Sequence, residues 1–232
     1  MNRSADRLSL RGAGSRAGVA AGSQVAIPTP GSEIGSAKVV IDFTEVERLY
    51  RQLLTALGQD IQSESLQDTP ARVARSWQEF LAYDPGPIEA SFEYEESYFG
   101  QQYIAVAGIR AWSMCQHHLL PFHVDAAVGY VPAGRVLGLS KLSRIVHMYA
   151  HRLQLQEQLT AQVAAEVARL TGSNDVGVWV VGEHLCMEMR GVRDQDARTL
   201  TECLHGQLAT DQQLAQRIHA AARSAVPFHS GH

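Results

Sequence analysis

The stretch that decides the fold is residues 102–131, QYIAVAGIRAWSMCQHHLLPFHVDAAVGYV. Its two ends, 102–112 and 124–131, are rich in β-branched and aromatic residues, which is typical of strands. The PAGR tetrapeptide that follows at 132–135 is a turn signal, and VLGL at 136–139 returns as a strand. The stretch therefore predicts antiparallel strands with a polar loop between the first two.

Amphipathic segments on both sides of these strands predict helices. A first segment has an apolar stripe that ends before Gly58, and a second, DTPARVARSWQEFL, has Pro70 at its first helical position, so the two form a helical hairpin. After the strands, one helix begins at Ser140, a second stops at Gly172, and a last one covers about 208–223. Segregated helices and antiparallel strands predict an α+β fold.

Composition limits the class of protein. The chain has 232 residues, 45% of them hydrophobic, and a formal charge of −4, which excludes a general nucleic-acid binder. It contains no run of about 18 apolar residues, so we expect no transmembrane segment. Its three cysteines are too few for a disulfide framework and favour a reducing, cytoplasmic location.

The first 40 residues differ from the rest. They are rich in Gly, Ser, Ala and Arg and contain no aromatic residue, so they are predicted to be a disordered tail. Their shortage of acidic residues leaves an organelle-targeting peptide as an alternative. The predicted division is a tail at 1–40, the helical hairpin at 41–99 and the catalytic region at 100–232.

The polar loop carries a candidate metal site. Cys115 and His118 form a C-x2-H pair, a spacing that suits two ligands of one tetrahedral zinc ion, although two ligands alone hold a metal poorly. A second segment, DVGVWVVGEHLCMEMR at 175–190, is predicted as one long strand. On a strand, His184 and Cys186 point to the same face, so a histidine and a cysteine from each segment could meet.

Not every one of these histidines is needed as a ligand. A catalytic zinc uses three protein ligands, which is fewer than the candidates present. One or two of the four histidines should therefore serve as acid–base groups instead; the four are His117, His118, His123 and His184. Alternatively, Cys186 is a small buried hydrophobe and His184 a core histidine. A charged pair on the same predicted face, Glu188 and Arg190, fits an apolar core poorly.

Four segments in order resemble the GTP cyclohydrolase I family: DTPARVARSW (68–77), SMCQHHLLPF (113–122), GYVPAGRVLGLSKLSRIVHMYAHRLQLQEQLT (129–160) and GEHLCMEMRGVR (182–193). The resemblance covers about residues 42–211. It implies a helical hairpin followed by a T-fold, which is a four-stranded antiparallel sheet with two helices on one side. It also implies a homodecamer with active sites between subunits. The implied reaction converts GTP and water to 7,8-dihydroneopterin triphosphate and formate, the first step of folate and pterin synthesis.

The resemblance also assigns roles to individual residues. The implied zinc ligands are Cys115, His118 and Cys186. The implied catalytic residues are His117, His184, Ser140 and Gln156, the last two contacting the ribose region. Glu157 would bind guanine, and basic residues would surround the triphosphate, namely Lys141, Arg144, Arg190, Arg72 and Arg75. Without the resemblance, each of these charges would be taken for an ordinary solvated one.

These residue types suit the implied chemistry. A histidine such as His184, which titrates near neutral pH, can protonate N7 of guanine and make C8 more electrophilic. Zinc can lower the pKa of a water ligand to about 7. A carboxylate at Glu157 can accept hydrogen bonds from both N1–H and the 2-amino group of guanine, whereas adenine offers neither donor.

The sequence departs from the family pattern at three places. Gln116 stands where the family has glutamate, Val124 and Asp125 stand where it has Gly-Lys, and DQDARTLTECLHGQL is a loose version of its Ser/Thr-rich stretch. Two alternative functions therefore stay open. One is a paralogue that acts on a related purine nucleotide, and the other is a catalytically silent subunit that binds purine or pterin.

Overall fold

The structure, a computed structural model, describes residues 40–93, 95 and 102–225, the side chains of 221–225 excepted. The predicted disordered tail lies outside the described residues, apart from Val40. Within the described part of the chain, helices alternate with strands in an α+β arrangement, so the predicted class is confirmed. No helix there is long and apolar enough to cross a membrane.

The described elements are numbered here in chain order. The helices are α1 (Phe43–Ala56), α2 (Thr69–Leu81), α3 (Leu139–Ala150), α4 (Gln156–Thr171), α5 (Leu185–Glu188), α6 (Gln207–Thr210) and α7 (Gln212–Ala225). The strands are β1 (Ser91–Glu93), β2 (Ile104–Cys115), β3 (Pro121–Tyr130), β4 (Arg135–Leu137), β5 (Leu153–Gln154), β6 (Val176–His184) and β7 (Thr199–Leu204).

The two N-terminal helices begin as local chemistry dictates. Asp42 caps α1 by accepting a hydrogen bond from the backbone N–H of Glu45 at 3.0 Å. Helix α2 carries Pro70 in its first turn, where a missing N–H costs no hydrogen bond. The two helices are linked by the Trp77 indole, which donates to the Tyr50 hydroxyl at 2.7 Å.

The main sheet has the strand order β5-β2-β3-β6-β7. Strands β2, β3, β6 and β7 are antiparallel neighbours, and the two-residue β5 adds a short parallel pairing at the end of β2. The sheet therefore has the four expected antiparallel strands and one further strand, β5, that was not expected. The short strands β1 and β4 pair with each other in a separate ribbon, so VLGL does not return into the main sheet as a hairpin would require.

Helices cover the two faces of the main sheet unequally. Helices α3 and α4 pack on one face over a core that includes Phe122, Val128, Leu142 and Val163. The other face is partly covered by α6 and α7 through a smaller apolar cluster, namely Ala127, Trp179, Leu208 and Ile218. Helices α3 and α4 lie on one side of the sheet, as expected. The second cluster, under α6 and α7 on the other side, was not expected.

The expected long strand over 175–190 is wrong in its last third. Strand β6 ends at His184, which pairs with Phe122, the second residue of β3. Beyond that point the partner strand begins at Pro121, which has no N–H to donate, so the ladder cannot continue. The chain turns into α5 instead, where the N–H of Met189 bonds to the carbonyl of Leu185 at 3.0 Å.

Candidate metal centre and active site

The loop after β2 folds back on the cysteine that ends the strand. The N–H groups of His118 and Leu119 both point to the carbonyl of Cys115, at 3.3 and 2.8 Å, and the N–H of Cys115 bonds to the carbonyl of Leu120 at 2.9 Å. Leu119 adopts a left-handed backbone with φ of 52°, which closes the turn. This turn places the imidazole of His118 beside the thiol of Cys115.

Three potential ligands converge at this loop. Cys115 ends β2, His118 lies in the turn and Cys186 lies on α5, and their ligand atoms are all within 4.8 Å of one another. The Sγ of Cys115 lies 3.6 Å from Nδ1 of His118. A tetrahedral ion with bonds of about 2.0–2.3 Å separates its ligands by about 3.5 Å, so the S, N, S set fits zinc.

Burial and proximity keep the thiol of Cys186 protonated while no cation is bound. Burial raises the pKa of Cys186, the neighbouring Cys115 adds to this, and the charge of Arg190 opposes it weakly. A zinc ligand must be a thiolate, so metal binding here releases protons. Two thiolates this close repel each other when no cation is present. A cation between them removes the repulsion, so the same closeness then favours metal binding.

His117 precedes the ligand histidine and stays outside the group of three. Its side chain is exposed, and its ring lies 6.0 Å from the His118 ring in an edge-on arrangement. Being exposed and outside the three-ligand group, it is available for proton transfer.

His184 is held at the end of β6 by packing and by one hydrogen bond. Its ring stacks on Phe122 with a centroid distance of 4.3 Å, and its Nε2 lies 2.9 Å from Oε1 of Gln156. Burial lowers the pKa of His184, the carboxylate of Glu157 opposes this, and His123 adds to the lowering. His184 lies two residues before the ligand Cys186, so the two residues are close in sequence.

Gln156 and Glu157 begin α4 and face different surroundings. Gln156 is buried, and its amide bonds to β6, β7 and His184, so its described contacts are internal. Glu157 is exposed and near enough to His184 to affect the pKa of that ring. The implied ribose contact of Gln156 stays a prediction.

The basic residues assigned to the triphosphate lie on several elements. Lys141 donates to the carbonyl of Pro87 at 2.6 Å, Arg72 donates to the hydroxyl of Thr69 at 2.8 Å, and Arg75 and Arg190 are exposed. Ser140, the expected N-cap, is instead exposed in the first turn of α3, and the observed N-cap is Gly138, two residues earlier. Arg144 packs beside Gly86. Among the described residues, no hydrogen bond or ion pair joins these side chains to the three ligands.

His123 belongs to a different arrangement. It lies next to Phe122 on β3 and so points to the opposite face of the sheet, where its Nε2 is 2.9 Å from Glu183. Arg198 contacts the other oxygen of Glu183 at 2.9 Å, and Trp112 meets the His123 ring edge-on. Strand alternation, applied to residues 122–123, was the sequence signal that could have separated His123 from the metal loop.

Comparisons with known proteins assign the chain to a family. The model of the GTP cyclohydrolase I family matches residues 46–223. "GTP cyclohydrolase 1" of Hyperthermus butylicus is 43% identical over 182 residues, covering 77% of this chain and 90% of the relative. "GTP cyclohydrolase 1" of Carboxydothermus hydrogenoformans is 41% identical over 187 residues, covering 79% and 95%.

A third relative shows a comparable level of identity. "GTP cyclohydrolase 1" of Mycolicibacterium vanbaalenii is 44% identical over 176 residues, which is 74% of this chain and 86% of the relative. All of the proposed metal ligands lie inside the segment that the family model matches. The chain is therefore a member of the GTP cyclohydrolase I family.

Proposed function

We propose that this chain is a zinc-dependent GTP cyclohydrolase I, which converts GTP and water to 7,8-dihydroneopterin triphosphate and formate. The observation that carries the proposal is the convergence of Cys115, His118 and Cys186, with a partly buried histidine, His184, two residues before Cys186 in the sequence. The test is to incubate purified zinc-loaded protein with GTP and to measure formate and a pterin absorbance. Absence of both products would contradict the proposal.

The chain's own residues would divide the work as follows. Cys115, His118 and Cys186 would hold zinc, which when bound supplies a Lewis acid that activates water near neutral pH. His184 would protonate N7 of guanine, which makes C8 a better electrophile. His117 and Ser140, both exposed, would move protons during opening and rearrangement of the ribose.

Substrate binding would use opposite charges for the two ends of GTP. Glu157 at the start of α4 would accept the two guanine donors, and its influence on the pKa of His184 supports a place beside the base. The triphosphate would be bound by the basic residues, namely Lys141, Arg144, Arg190, Arg72 and Arg75. A guanidinium binds phosphate oxygens in a bidentate way, which suits four arginines in this role.

Glu157→Gln tests the base contact. The change replaces one acceptor oxygen by an amide donor that faces a guanine donor, so GTP affinity should fall by about 1–3 kcal/mol, or roughly 5- to 150-fold. The measurement is GTP binding by calorimetry, with inosine triphosphate, which lacks the 2-amino group, as the matched ligand. The variant should discriminate less between the two. Unchanged GTP affinity would mean that guanine is bound by other groups.

The proposal also includes the oligomeric state of the protein and its cellular compartment. We propose a homo-oligomer, a decamer by resemblance to the family, with active sites between subunits, a T-fold core and an N-terminal helical hairpin. An apolar stripe on α1 supports this, because Leu49 and Leu53 are each 48% exposed and Leu57 is 63% exposed in the single chain. The cysteines are all free, which supports a reducing compartment such as the cytoplasm.

Removal of the tail should leave catalysis intact. A chain that starts at Ile41 lacks only residues whose composition cannot support a core, so assembly and kcat should stay within about twofold of the full-length values. Light scattering gives the assembly size and formate release gives the activity. Failure of the shortened chain to assemble would show that the tail is structural.

Gln116→Glu tests the departure in the metal loop. A carboxylate beside His117 would favour the protonated form of a neighbouring histidine, so the acid limb of the pH–rate profile should lie at higher pH in the variant than in the natural protein. The measurement is formate release from GTP across pH for both forms. Identical profiles would show that position 116 is electrostatically remote. If only the variant is active, the natural chain is a silent subunit.

A further inference from the structure

The amide of Gln156 occupies a buried position between β6, β7 and His184. Its Nε2 lies 2.9 Å from the carbonyl of Thr199, 3.2 Å from the carbonyl of Val180 and 3.2 Å from the hydroxyl of Thr201. Its Oε1 lies 2.9 Å from Nε2 of His184. The residue is 1% exposed, so water does not compete for these contacts.

The hydrogen bonds determine which end of the amide faces which partner. Two of the three groups around one end, at Thr199 and Val180, are backbone carbonyls, which can only accept. That end must therefore be the NH2 group, and the carbonyl oxygen must face His184. With the ends exchanged, the oxygen would lie against two carbonyl oxygens with no hydrogen between them, at the cost of a buried unpaired group.

Two threonine hydroxyls reinforce this orientation. Thr160 donates its single hydroxyl hydrogen to the backbone carbonyl of Gln156 at 2.8 Å. Its 2.6 Å contact with Thr201 must then use the hydrogen of Thr201, which leaves the lone pairs of Thr201 free to accept from the Gln156 NH2 group. The two NH2 hydrogens are shared among three acceptors, and both hydroxyls can donate in one direction only.

The consequence for His184 follows from the same logic. A carbonyl oxygen can only accept, so the Nε2 atom that faces Gln156 must carry a hydrogen. The stacked ring of Phe122 holds the imidazole plane, and a half-turn of the ring within that plane would put the carbon Cε1, not the other nitrogen, opposite the Gln156 oxygen. In the neutral imidazole, Nδ1 is then the nitrogen without hydrogen.

We infer that Gln156 is a positioning residue that holds His184 in the tautomer with hydrogen on Nε2, so that Nδ1 is the nitrogen left to interact with a bound substrate. The inference rests on the proposed function for the identity of the substrate. The Nε2 hydrogen stays on His184 and is donated in a hydrogen bond to the Gln156 oxygen. This role differs from a direct ribose contact by Gln156.

Gly182 supplies the space in which this hydrogen bond forms. A methyl group at this position would overlap Oε1 of Gln156 and would lie 3.3 Å from Nε2 of His184. The obstructed atom is the end of a flexible side chain, so Gly182→Ala should fold and displace the amide. It is therefore a test that leaves both Gln156 and His184 chemically intact.

The experiment reads the tautomer directly in the full-length, zinc-loaded protein with 15N-labelled histidine. His184→Asn identifies the His184 nitrogen signals by their loss. The natural protein should show a protonated, pyrrole-type Nε2 and a pyridine-type Nδ1. Gln156→Leu and Gly182→Ala should show both tautomers in exchange, with one equivalent of zinc retained and kcat for GTP lowered about 10- to 100-fold, more than KM changes.

Thr201 offers a matched pair of variants. Thr201→Ser keeps the hydroxyl and Thr201→Val loses it at nearly the same size. Because the carbonyls of Thr199 and Val180 still fix the amide, both variants should keep the natural tautomer. A natural protein with hydrogen on Nδ1 would overturn the inference, as would Gln156→Leu and Gly182→Ala variants with the natural tautomer. The locked tautomer without formate production would instead overturn the proposed function, because the nitrogen signals are measured without GTP.

Discussion

Cys186→Ser is expected to remove zinc from the protein and, with it, turnover of GTP. The thiolate is one of three converging ligand atoms, and a serine hydroxyl stays protonated at neutral pH, so only Cys115 and His118 would remain. Structural zinc sites of four ligands bind with about 10–16 kcal/mol, so one ligand contributes roughly 3–4 kcal/mol, or a 10²- to 10³-fold loss of affinity. We expect kcat to fall about 10³-fold or more, because water near neutral pH is a poor nucleophile without the metal.

The measurement is metal analysis after dialysis, together with formate release. Cys115→Ser should behave like Cys186→Ser. The matched control is Cys203→Ser, because Cys203 lies on β7 with its thiol 3.2 Å from His205 and stands outside the three-ligand group. This control should keep one equivalent of zinc. A full zinc equivalent in both ligand variants would show that the metal binds elsewhere.

His117→Ala and His118→Ala should fail in different ways although the residues are adjacent. His118 presents Nδ1 to the thiol of Cys115, so its removal should lower zinc content as a cysteine substitution does. His117 lies outside the ligand group, so His117→Ala should retain one equivalent of zinc and lose about 10²- to 10⁴-fold in kcat, the usual contribution of a general acid or base.

The two readouts separate these roles. Zinc content and formate release are measured on the same preparations, with thermal melting to establish that each variant is folded. Zinc lost from both variants, or retained in both, would mean that the assignment of ligand and acid–base group is wrong. Zinc retained in His117→Ala with natural kcat would remove His117 from the proposed chemistry.

Local sequence patterns determined much of this fold. The β-branched and aromatic content of 102–112 and 124–131 predicted the central strands, which the structure has at Ile104–Cys115 and Pro121–Tyr130. Gly172 was predicted to end a helix, and it is the left-handed C-cap of α4 with φ of 69°. Such signals depend on residues within a few positions of each other, so they can be interpreted without knowledge of the rest of the chain.

Other features depended on which segments meet. Strand β7 exists because Thr199–Leu204 pairs with β6, and its own pattern gave no strand prediction. Strand β6 stops at His184 because β3 offers no partner beyond Pro121, and this end puts Cys186 on a helical turn. A strand through Cys186 would have directed that thiol by simple alternation.

The candidate site also combines features that local sequence predicts with features that only the tertiary structure determines. The sequence by itself determined the ligand types, because cysteine and histidine at C-x2-H spacing suit zinc whatever surrounds them. The tertiary structure decided that His123 faces the other side of the sheet, bonded to Glu183, and that Gln156 turns inward to His184. The physical reason is that a hydrogen bond between residues 28 or 60 positions apart forms only when packing brings their strands and helices together, and no local pattern encodes that meeting.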